Sequence, residues 1–412
     1  MPTTSSVPDS NPAAATQCIT NPSGKSARLQ SGRIPEIDGL RAFAILPVML
    51  FHFAPETGGL RGLAPIFRIG WVGVDLFFVL SGYLITGILL DTVKQDHFYR
   101  TFVTRRIFRI FPLYYACLAL FTVSTYFVSG RETWHGILNW GSPMWFALFL
   151  GNFRAAYLNS FPPVFSFVPL WSLQVEEQFY LLYPALIALC AGRTVRRVLI
   201  GSILFAPALR AVLTFFVPGS NTACFVLAPC RMDALAWGGL LAMAYRSNRF
   251  HAWARQIGVG ALFSFGACML WFSFPSFTHR YNTILAYSLV DLCFAGVLSQ
   301  VLSHSDSLLV RSLRWRPLVY IGTCSYGLYL LHGPAGWLGR SIVTRIVSIA
   351  PNGTANLLIS LVFSFGAAAM SWELFESRVL ALRGRLFDQT VRTRSNTGSA
   401  TSERSSRVQT PA

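Results

Sequence analysis

The sequence predicts an all-α integral membrane protein with about ten transmembrane helices, and three observations lead to this fold class. Of the 412 residues, 53% are hydrophobic and only 12% are charged, which is about half the charged share of an ordinary soluble protein. Apolar runs of about twenty residues, long enough to cross a bilayer, recur along the chain. The basic residues form short clusters between these runs, so the net charge of +17 indicates membrane topology and not a nucleic-acid partner.

Ten segments are apolar enough to be predicted as spans. They lie near 38–53 and 71–90, from the basic cluster at 94–109 through about 128, and near 174–191, 198–217, 225–245, 256–274, 283–303, 317–337 and 354–375. Residues 129–172 form one long outer connection. Its apolar piece, 143–150, is too short to span a bilayer and is predicted to be re-entrant or interfacial.

The distribution of basic residues orients these spans. With the N-terminus inside, the predicted inner segments hold 24 of the 34 Lys and Arg residues, and the outer loops hold seven. Counting 143–150 as a span would move the cluster at 193–197 outside, against the positive-inside bias. We therefore expect both termini in the cytoplasm. The predicted domains are a disordered tail at 1–33 without a signal-peptide core, a membrane domain at 34–377, and a disordered basic tail at 378–412.

The first span carries ionisable groups near both of its ends. Eleven residues separate Arg41 from His52, which in a helix brings them within about 20° of one face and about 16 Å apart along the axis. Asp38 lies beside Arg41 at the inner end, and Pro47 is expected to kink the helix below His52. Ionisable groups inside a span are costly, so a functional role is the default interpretation.

Three arginines begin the third span at its inner end. Arg105 and Arg109 are spaced i,i+4 on one helical face, and Arg106 lies i,i+3 from Arg109. Guanidinium groups make paired, charge-assisted hydrogen bonds with phosphate oxygens, so the cluster suits a phosphate-bearing ligand. The alternative is that these arginines anchor the topology or contact lipid headgroups.

A different set of polar residues lies on the predicted outer side. His52 ends the first span, Glu176 and Glu177 lie in the first turn of the fourth, and His332 lies near the outer end of the span at 317–337. An imidazole beside a carboxylate can act as a general base. The glutamates could instead complement the helix dipole. For His332, a buried structural role is an equal alternative.

Further polar residues are expected to support the fold. Asp75 lies near the outer end of the second span, within reach of the outer site, and the pair Arg231 and Asp233 is expected to form an interhelical salt bridge or hydrogen-bond network. No cysteine pair has zinc-ligand spacing, so no metal site is expected. Cys224 and Cys230 flank an outer loop, and a disulfide between them is left open.

Five motifs together resemble the acyltransferase family 3 membrane proteins. They are the Asp-Gly-Leu-Arg run at 38–41 followed by His52, and the runs at 73–85, 105–112, 171–180 and 231–238. They occur in the family's order across about residues 34–377. The resemblance implies transfer of a short acyl group, usually acetyl, from cytoplasmic acyl-CoA to a hydroxyl. Acceptors in the family include O-antigen, exopolysaccharide and nodulation sugars, peptidoglycan, and macrolides.

The resemblance also implies roles for particular residues. The matched positions are Arg41 with His52, Arg106 with Arg109, and Glu176 with Glu177. The predicted site comprises catalytic His52, Glu176 and Glu177; donor-binding Arg41, Arg105, Arg106 and Arg109; and supporting Asp38, Asp75, Trp171, Arg231, Asp233 and His332. Some relatives append an esterase-like domain, but only a tail is expected here after residue 377, so transfer without a relay through an attached domain is predicted.

The predicted partners are membrane lipids, acyl-CoA as the donor substrate, and a glycan or other hydroxyl acceptor at the cell's inner membrane. No permanently bound cofactor is expected. The alternative function is a proton-coupled transporter or flippase of a glycolipid or small molecule, using the same buried His, Asp and Arg residues. The sequence leaves the acceptor, the acyl length and the oligomeric state open.

Overall fold

A computed structural model of the protein describes residues 34–127, 130–190, 192–247, 250–271, 282–347 and 352–383. This part of the chain is helical and contains no β-strand, which confirms the predicted all-α class. The predicted tail at 1–33, most of the predicted tail at 378–412, and the end of the segment predicted at 256–274 lie outside the described residues.

The helices follow one another with short connections. In chain order they are α1 (Pro35–His52), α2 (Ala64–Phe67), α3 (Gly73–Thr92), α4 (Phe98–Phe127), α5 (Arg131–Trp140), α6 (Met144–Ala147), α7 (Gly151–Leu158), α8 (Leu170–Leu189), α9 (Gly192–Phe216), α10 (Asn221–Val226), α11 (Ala228–Tyr245), α12 (Phe250–Trp271), α13 (Asn282–Ser303), α14 (Leu308–Leu313), α15 (Arg316–Thr323), α16 (Ser325–Val347) and α17 (Gly353–Ser371). Three short 3₁₀ helices lie at Arg61–Leu63, Gly70–Val72 and Phe165–Phe167. A π-helical turn, Trp372–Glu376, extends α17, and the helix continues to Arg383, beyond the predicted boundary at residue 377.

Each of the ten predicted spans contains a helix. Six helical runs of the described chain are long and apolar enough to cross a membrane: Arg61–Thr92, Phe98–Phe127, Gly192–Phe216, Asn221–Tyr245, Thr283–Ser303 and Gly353–Arg383. The protein is therefore a multi-pass membrane protein, while the count of ten and the sidedness stay predictions. The apolar piece at 143–150 contains only the four-residue helix α6.

Helix α1 lies inside the bundle and packs against α3, α14, α15 and α16. Many of its apolar residues are almost completely buried, among them Ala42, Ile45 and Met49, whereas Phe43 is exposed. Gly322 of α15 lies against the backbone of Asp38, where a Cβ atom would collide with the Asp38 carbonyl. This close approach fixes the inner end of α1, and with it the position of Arg41.

A second close crossing joins α3 to α11. A Cβ atom at Gly82 would collide with the Leu235 carbonyl, and one at Gly238 would collide with the Val79 carbonyl. Small residues allow helix backbones to approach closely in this way within membranes. Because α3 also packs on α1, the crossing supports one wall of the cavity that is lined by Arg41, Arg106, Arg109 and Glu176.

Candidate active site

A cavity of about 100 Å³ is lined by residues of α1, α3, α4, α8 and α16. Three of its lining residues are arginines: Arg41 of α1 and Arg106 and Arg109 of α4. Its hydroxyl and carboxylate groups come from Ser81, Ser172, Glu176, Tyr180, Ser325, Tyr326 and Tyr329. The apolar remainder, which includes Phe77 and Phe78, gives the cavity one cationic region within mostly apolar walls.

The three arginines differ in how their charge is balanced. The Arg41 guanidinium donates to Asp38 Oδ1 at 3.0 Å. Arg106 is half-buried against the rings of Phe102 and Tyr180, at 5.5 and 5.8 Å from their centroids. Its Nε is buried without a hydrogen-bond partner in the described chain. A buried donor left unsatisfied is costly, so this nitrogen is suited to donate to an acceptor in the cavity.

Arg109 connects this cavity to a second one of about 190 Å³. The two cavities share Arg41, Arg109 and Tyr326 among their lining residues. The second cavity is lined further by residues of α4, α15 and the π-helical end of α17, among them Phe108, Thr323, Trp372, Phe375 and Glu376. Arg109 is solvent-accessible and forms no salt bridge with a described residue. Its charge is therefore available to an anion in either cavity.

Arg105 is separated from this arrangement. Its side chain is exposed and lines neither cavity, and it lies close to Arg383 at the end of α17. The i,i+4 spacing of Arg105 and Arg109 is correct as helical geometry, but the packing of α4 turns Arg106 and Arg109 toward the cavity. The third arginine of the cavity is therefore Arg41 of α1 and not Arg105.

Glu176 lies on the cavity wall within a small hydrogen-bond network. Ser81 Oγ donates to Glu176 Oε1 at 2.7 Å, and the Tyr180 hydroxyl donates to Glu176 Oε2 at 2.9 Å. The Ser81 and Tyr180 oxygens are 3.1 Å apart. Both Glu176 oxygens therefore receive a hydrogen bond. Glu177 is half-buried, lines neither cavity, and lies close enough to Arg106 to interact electrostatically with it.

The predicted catalytic histidine is paired with a second histidine. His52 Nδ1 lies 3.0 Å from His332 Nε2, and the two rings stack with centroids 4.9 Å apart. His332 is completely buried in α16, and its Nδ1 lies 2.9 Å from the Tyr329 carbonyl and 3.2 Å from the Leu328 carbonyl. The partner of the His52 ring is therefore His332, whereas Glu176, which was expected at the same outer site, is hydrogen-bonded to Ser81 and Tyr180.

Aromatic side chains surround the histidine pair. Phe165, from the 3₁₀ turn in the long connection, lies edge-on to His52 at 5.0 Å and to His332 at 5.9 Å between ring centroids. Phe51 contacts His52 at 5.0 Å, and Phe53 contacts His332 at 5.9 Å. His52 itself is half-buried, so the pair is enclosed except on part of the His52 ring.

Tyr329 lies next to both the cavity and the histidine pair. It lines the arginine cavity, and its ring centroid is 6.2 Å from that of His332. Its hydroxyl donates to the Pro169 carbonyl at 2.9 Å and lies 2.6 Å from Ser172 Oγ. Neither histidine lines either cavity. The cationic cavity and the histidines are therefore neighbours along α1 and α16, with Tyr329 next to both.

The supporting acids and arginines form ion pairs between helices. Arg231 of α11 pairs with Asp75 of α3, and Asp233 pairs with Arg210 of α9 at 2.9 Å. Asp233 also accepts from Ser288 of α13 at 2.6 Å. Both residues thus take part in an interhelical network, as expected, and they reach different helices because two positions along α11 separate their side chains by about 200°.

Trp171 and the cysteines Cys224 and Cys230 lie in the packed interior of the protein. Trp171 is buried against Phe225 and Phe78, at 4.5 and 6.0 Å between centroids. Cys224 and Cys230 are both buried free thiols, as are the other described cysteines that lie in buried positions. The open disulfide alternative is therefore not adopted.

Sequence reasoning did not single out four residues of the site: Ser81, Tyr180, Tyr326 and Tyr329. Ser81 and Tyr180 lie inside the motifs at 73–85 and 171–180, Tyr326 and Tyr329 lie in the same predicted span as His332, and Tyr180 follows Glu176 by one helical turn. That i,i+4 spacing was the available signal for a Glu–Tyr contact. Arg210 lies within the span predicted near 198–217, and its partner Asp233 could not be read from the sequence.

Comparison with known proteins gives consistent matches. A family model of the acyltransferase domain of family 3 matches residues 34–374. The chain is 26% identical over 381 residues to the peptidoglycan O-acetyltransferase OatA of Listeria monocytogenes, covering 86% of this chain and 57% of that protein. It is 29% identical over 381 residues to the putative peptidoglycan O-acetyltransferase YrhL of Bacillus subtilis, covering 87% and 56%.

A third relative is the O-acetyltransferase OatA of Staphylococcus aureus, 27% identical over 322 residues that cover 73% of this chain and 50% of that protein. The chain thus spans about half the length of the curated relatives it matches. No solved structure matches it significantly. The family model covers most of the membrane domain and contains every predicted site residue, and on this ground the chain belongs to acyltransferase family 3.

Proposed function

We propose that this protein transfers a short acyl group, acetyl in the first instance, from cytoplasmic acyl-CoA to a hydroxyl of a cell-surface or secreted glycan. The observation that carries the proposal is the two-ended arrangement of α1. Arg41 shares a cavity with two arginines that form no salt bridge with described residues, and His52 forms a histidine pair at the other end of the helix. The names of the relatives, two of them peptidoglycan O-acetyltransferases of which one is putative, support a glycan as acceptor.

The donor end is suited to a nucleotide-linked thioester. Acyl-CoA carries several phosphates, which Arg41, Arg106 and Arg109 would bind from the cytoplasmic face. Arg105, exposed beside the entrance, would contribute only long-range attraction. The pantetheine arm would lie along the apolar wall formed by α3, and its acyl end would have to pass Tyr329 to reach His52.

The acceptor end is suited to general-base chemistry. His52 would take the proton from the acceptor hydroxyl as its oxygen attacks the thioester carbon. The new C–O bond forms, the C–S bond breaks, and the proton passes from His52 to the departing CoA sulfur. Glu176 receives hydrogen bonds from Ser81 and Tyr180 on the cavity wall. We propose that Glu176, together with Glu177 near Arg106, offsets part of the positive charge of the donor-binding arginines.

The setting is a membrane with a CoA-containing compartment on one side, which for a bacterial-type glycan transferase is the inner cell membrane. Lipids are the remaining partners, because the apolar outer faces of the long helices require them. The reaction needs no resident cofactor, since acyl-CoA itself is consumed.

Purified full-length protein in lipid vesicles tests the proposal. We expect acetyl-CoA to be consumed only with a glycan acceptor, with a mass increase of one acetyl group on that glycan. His52→Gln should lower the turnover number by about 100-fold or more, because a positioned general base contributes about that much, while acetyl-CoA binding stays unchanged. Normal transfer by a folded His52→Gln protein would contradict the proposal, and transport of an unmodified glycolipid would favour a flippase.

A further inference from the structure

The hydrogen bonds of His332 determine which of its nitrogens carries hydrogen. Its Nδ1 faces two backbone carbonyl oxygens, those of Leu328 and Tyr329. A carbonyl oxygen only accepts, so Nδ1 must carry the hydrogen. The ring is completely buried and has no carboxylate partner among the described residues, and an unpaired buried charge is costly. A neutral His332 therefore presents a bare acceptor at Nε2.

This acceptor in turn determines the state of His52. His332 Nε2 lies 3.0 Å from His52 Nδ1, so His52 Nδ1 must donate. In a neutral imidazole with hydrogen on Nδ1, the lone pair is on Nε2.

We infer that His332 is a positioning residue that holds His52 in the tautomer whose Nε2 is a free base. The inference rests on the proposed function, in which His52 accepts the proton of the acceptor hydroxyl. It goes further by assigning that proton to one nitrogen and by giving a reason for a second buried histidine 280 residues away in the chain.

The pair works without passing a proton along. As the acceptor oxygen bonds to the thioester carbon, its proton moves to His52 Nε2, and it leaves to the CoA sulfur when the C–S bond breaks. Throughout, His52 Nδ1–H stays hydrogen-bonded to His332 Nε2. His332 cannot act as a relay because its own Nδ1–H is bound to carbonyls, which take no proton. It stabilises the transient imidazolium as a neutral acceptor, which places no permanent negative charge in the membrane interior.

The surrounding rings keep this arrangement in place. Phe165 contacts both histidines, and Phe53 contacts His332. A flipped His52 ring would lose its hydrogen bond to His332. Ser364 of α17 donates to the His332 backbone carbonyl at 3.2 Å, which ties the α16 turn that carries His332 to its neighbour.

Two variants of the full-length protein in lipid vesicles test the inference. His332→Gln keeps a side-chain oxygen that can accept from His52, whereas His332→Met keeps similar bulk without a strong acceptor. Nitrogen NMR of ¹⁵N-histidine-labelled protein reports the tautomer directly, and comparison with His52→Gln identifies the His52 signals. We expect one protonated nitrogen, Nδ1, in the native protein and in His332→Gln, and mixed tautomers in His332→Met.

Activity gives the second measurement. The turnover number should fall by about 100-fold in His332→Met, because a positioned general base contributes about that much. In His332→Gln it should fall by about tenfold or less. The KM for acetyl-CoA should not change, because the arginine cavity lies away from the pair. A native His52 with hydrogen on Nε2, or an unchanged tautomer in folded His332→Met, would overturn the inference. The NMR measurement does not require catalytic turnover. It therefore tests the tautomer of His52 even if the proposed acyltransferase function is wrong.

Discussion

The buried Nε of Arg106 is the atom on which the donor side depends most. It has no hydrogen-bond partner in the described chain, and its guanidinium rests on two aromatic rings at the cavity wall. A phosphate would supply the missing acceptor. Arg109, which lines both cavities, would bind a second phosphate oxygen.

We predict that Arg106→Ala and Arg109→Ala each raise the KM for acetyl-CoA by about tenfold to 100-fold, because a hydrogen bond to a charged group contributes about 1.5–3 kcal/mol. Arg105→Ala is the matched control on the same helix, since Arg105 lines neither cavity, and its KM should change less than about threefold. Steady-state kinetics at fixed acceptor concentration measures all three. Equal effects of the three substitutions would mean that the arginines act only as membrane anchors.

The sequence predicted the principal site residues but not their partners. Arg41 and His52 could be placed on one face of α1 from their spacing alone, and both helical periodicity and the family resemblance marked Arg106 and Arg109. The His52–His332 contact joins residues 280 positions apart, and no local pattern encodes it. The choice between Arg105 and Arg106 likewise depends on how α4 packs, which its own sequence does not determine.

At the scale of the helices, a buried ion pair and its hydrogen bonds connect α9, α11 and α13. Asp233 of α11 pairs with Arg210 of α9 and accepts from Ser288 of α13, and all the charged atoms are buried. Asp291 of α13 is also buried, but its two oxygens accept no hydrogen bond from a described residue. Together with Asp75 and Arg231, the cluster holds three acids and two arginines.

We predict that two isosteric substitutions in this cluster lower the stability of the fold by very different amounts. Asp233→Asn should lower the free energy of unfolding by about 3–5 kcal/mol, because it leaves the buried Arg210 without its counter-ion. Asp291→Asn removes the acid that exceeds the number of arginines, and it should change stability by less than about 1 kcal/mol. Thermal unfolding in detergent, followed by tryptophan fluorescence, compares the two. Stronger destabilisation by Asp291→Asn would show that Asp291 is the counter-ion.

Helix positions were easier to predict than helix breaks. Each predicted span contains a helix because long apolar runs have few other structures available in a membrane. The segment at 317–337 was predicted as one span, yet it is divided into α15 and α16 at Cys324. This break lets α15 pack closely on α1 through Gly322 while α16 carries Tyr329 and His332. Such a division depends on contacts with other helices and leaves little trace in hydrophobicity.

At the scale of the whole molecule, the arginine cavity and the His52–His332 pair lie at two ends of α1. We propose that these ends face opposite sides of the membrane. Charge distribution in the sequence supports a cytoplasmic arginine end, and the helices are long enough for the two ends to differ in depth. A definite sidedness of the protein in a membrane is therefore predicted.

Sealed vesicles containing the full-length protein measure it most directly. Lys94 is exposed in the turn between α3 and α4, on the predicted cytoplasmic face, so labelling with an impermeant amine reagent reports the orientation. We predict acetylation when acetyl-CoA is on the Lys94 face and the glycan is on the other, no acetylation with the two exchanged, and acetylation slower by about 100-fold or more with His52→Gln. Acetylation that requires both substrates on the same face would contradict the account.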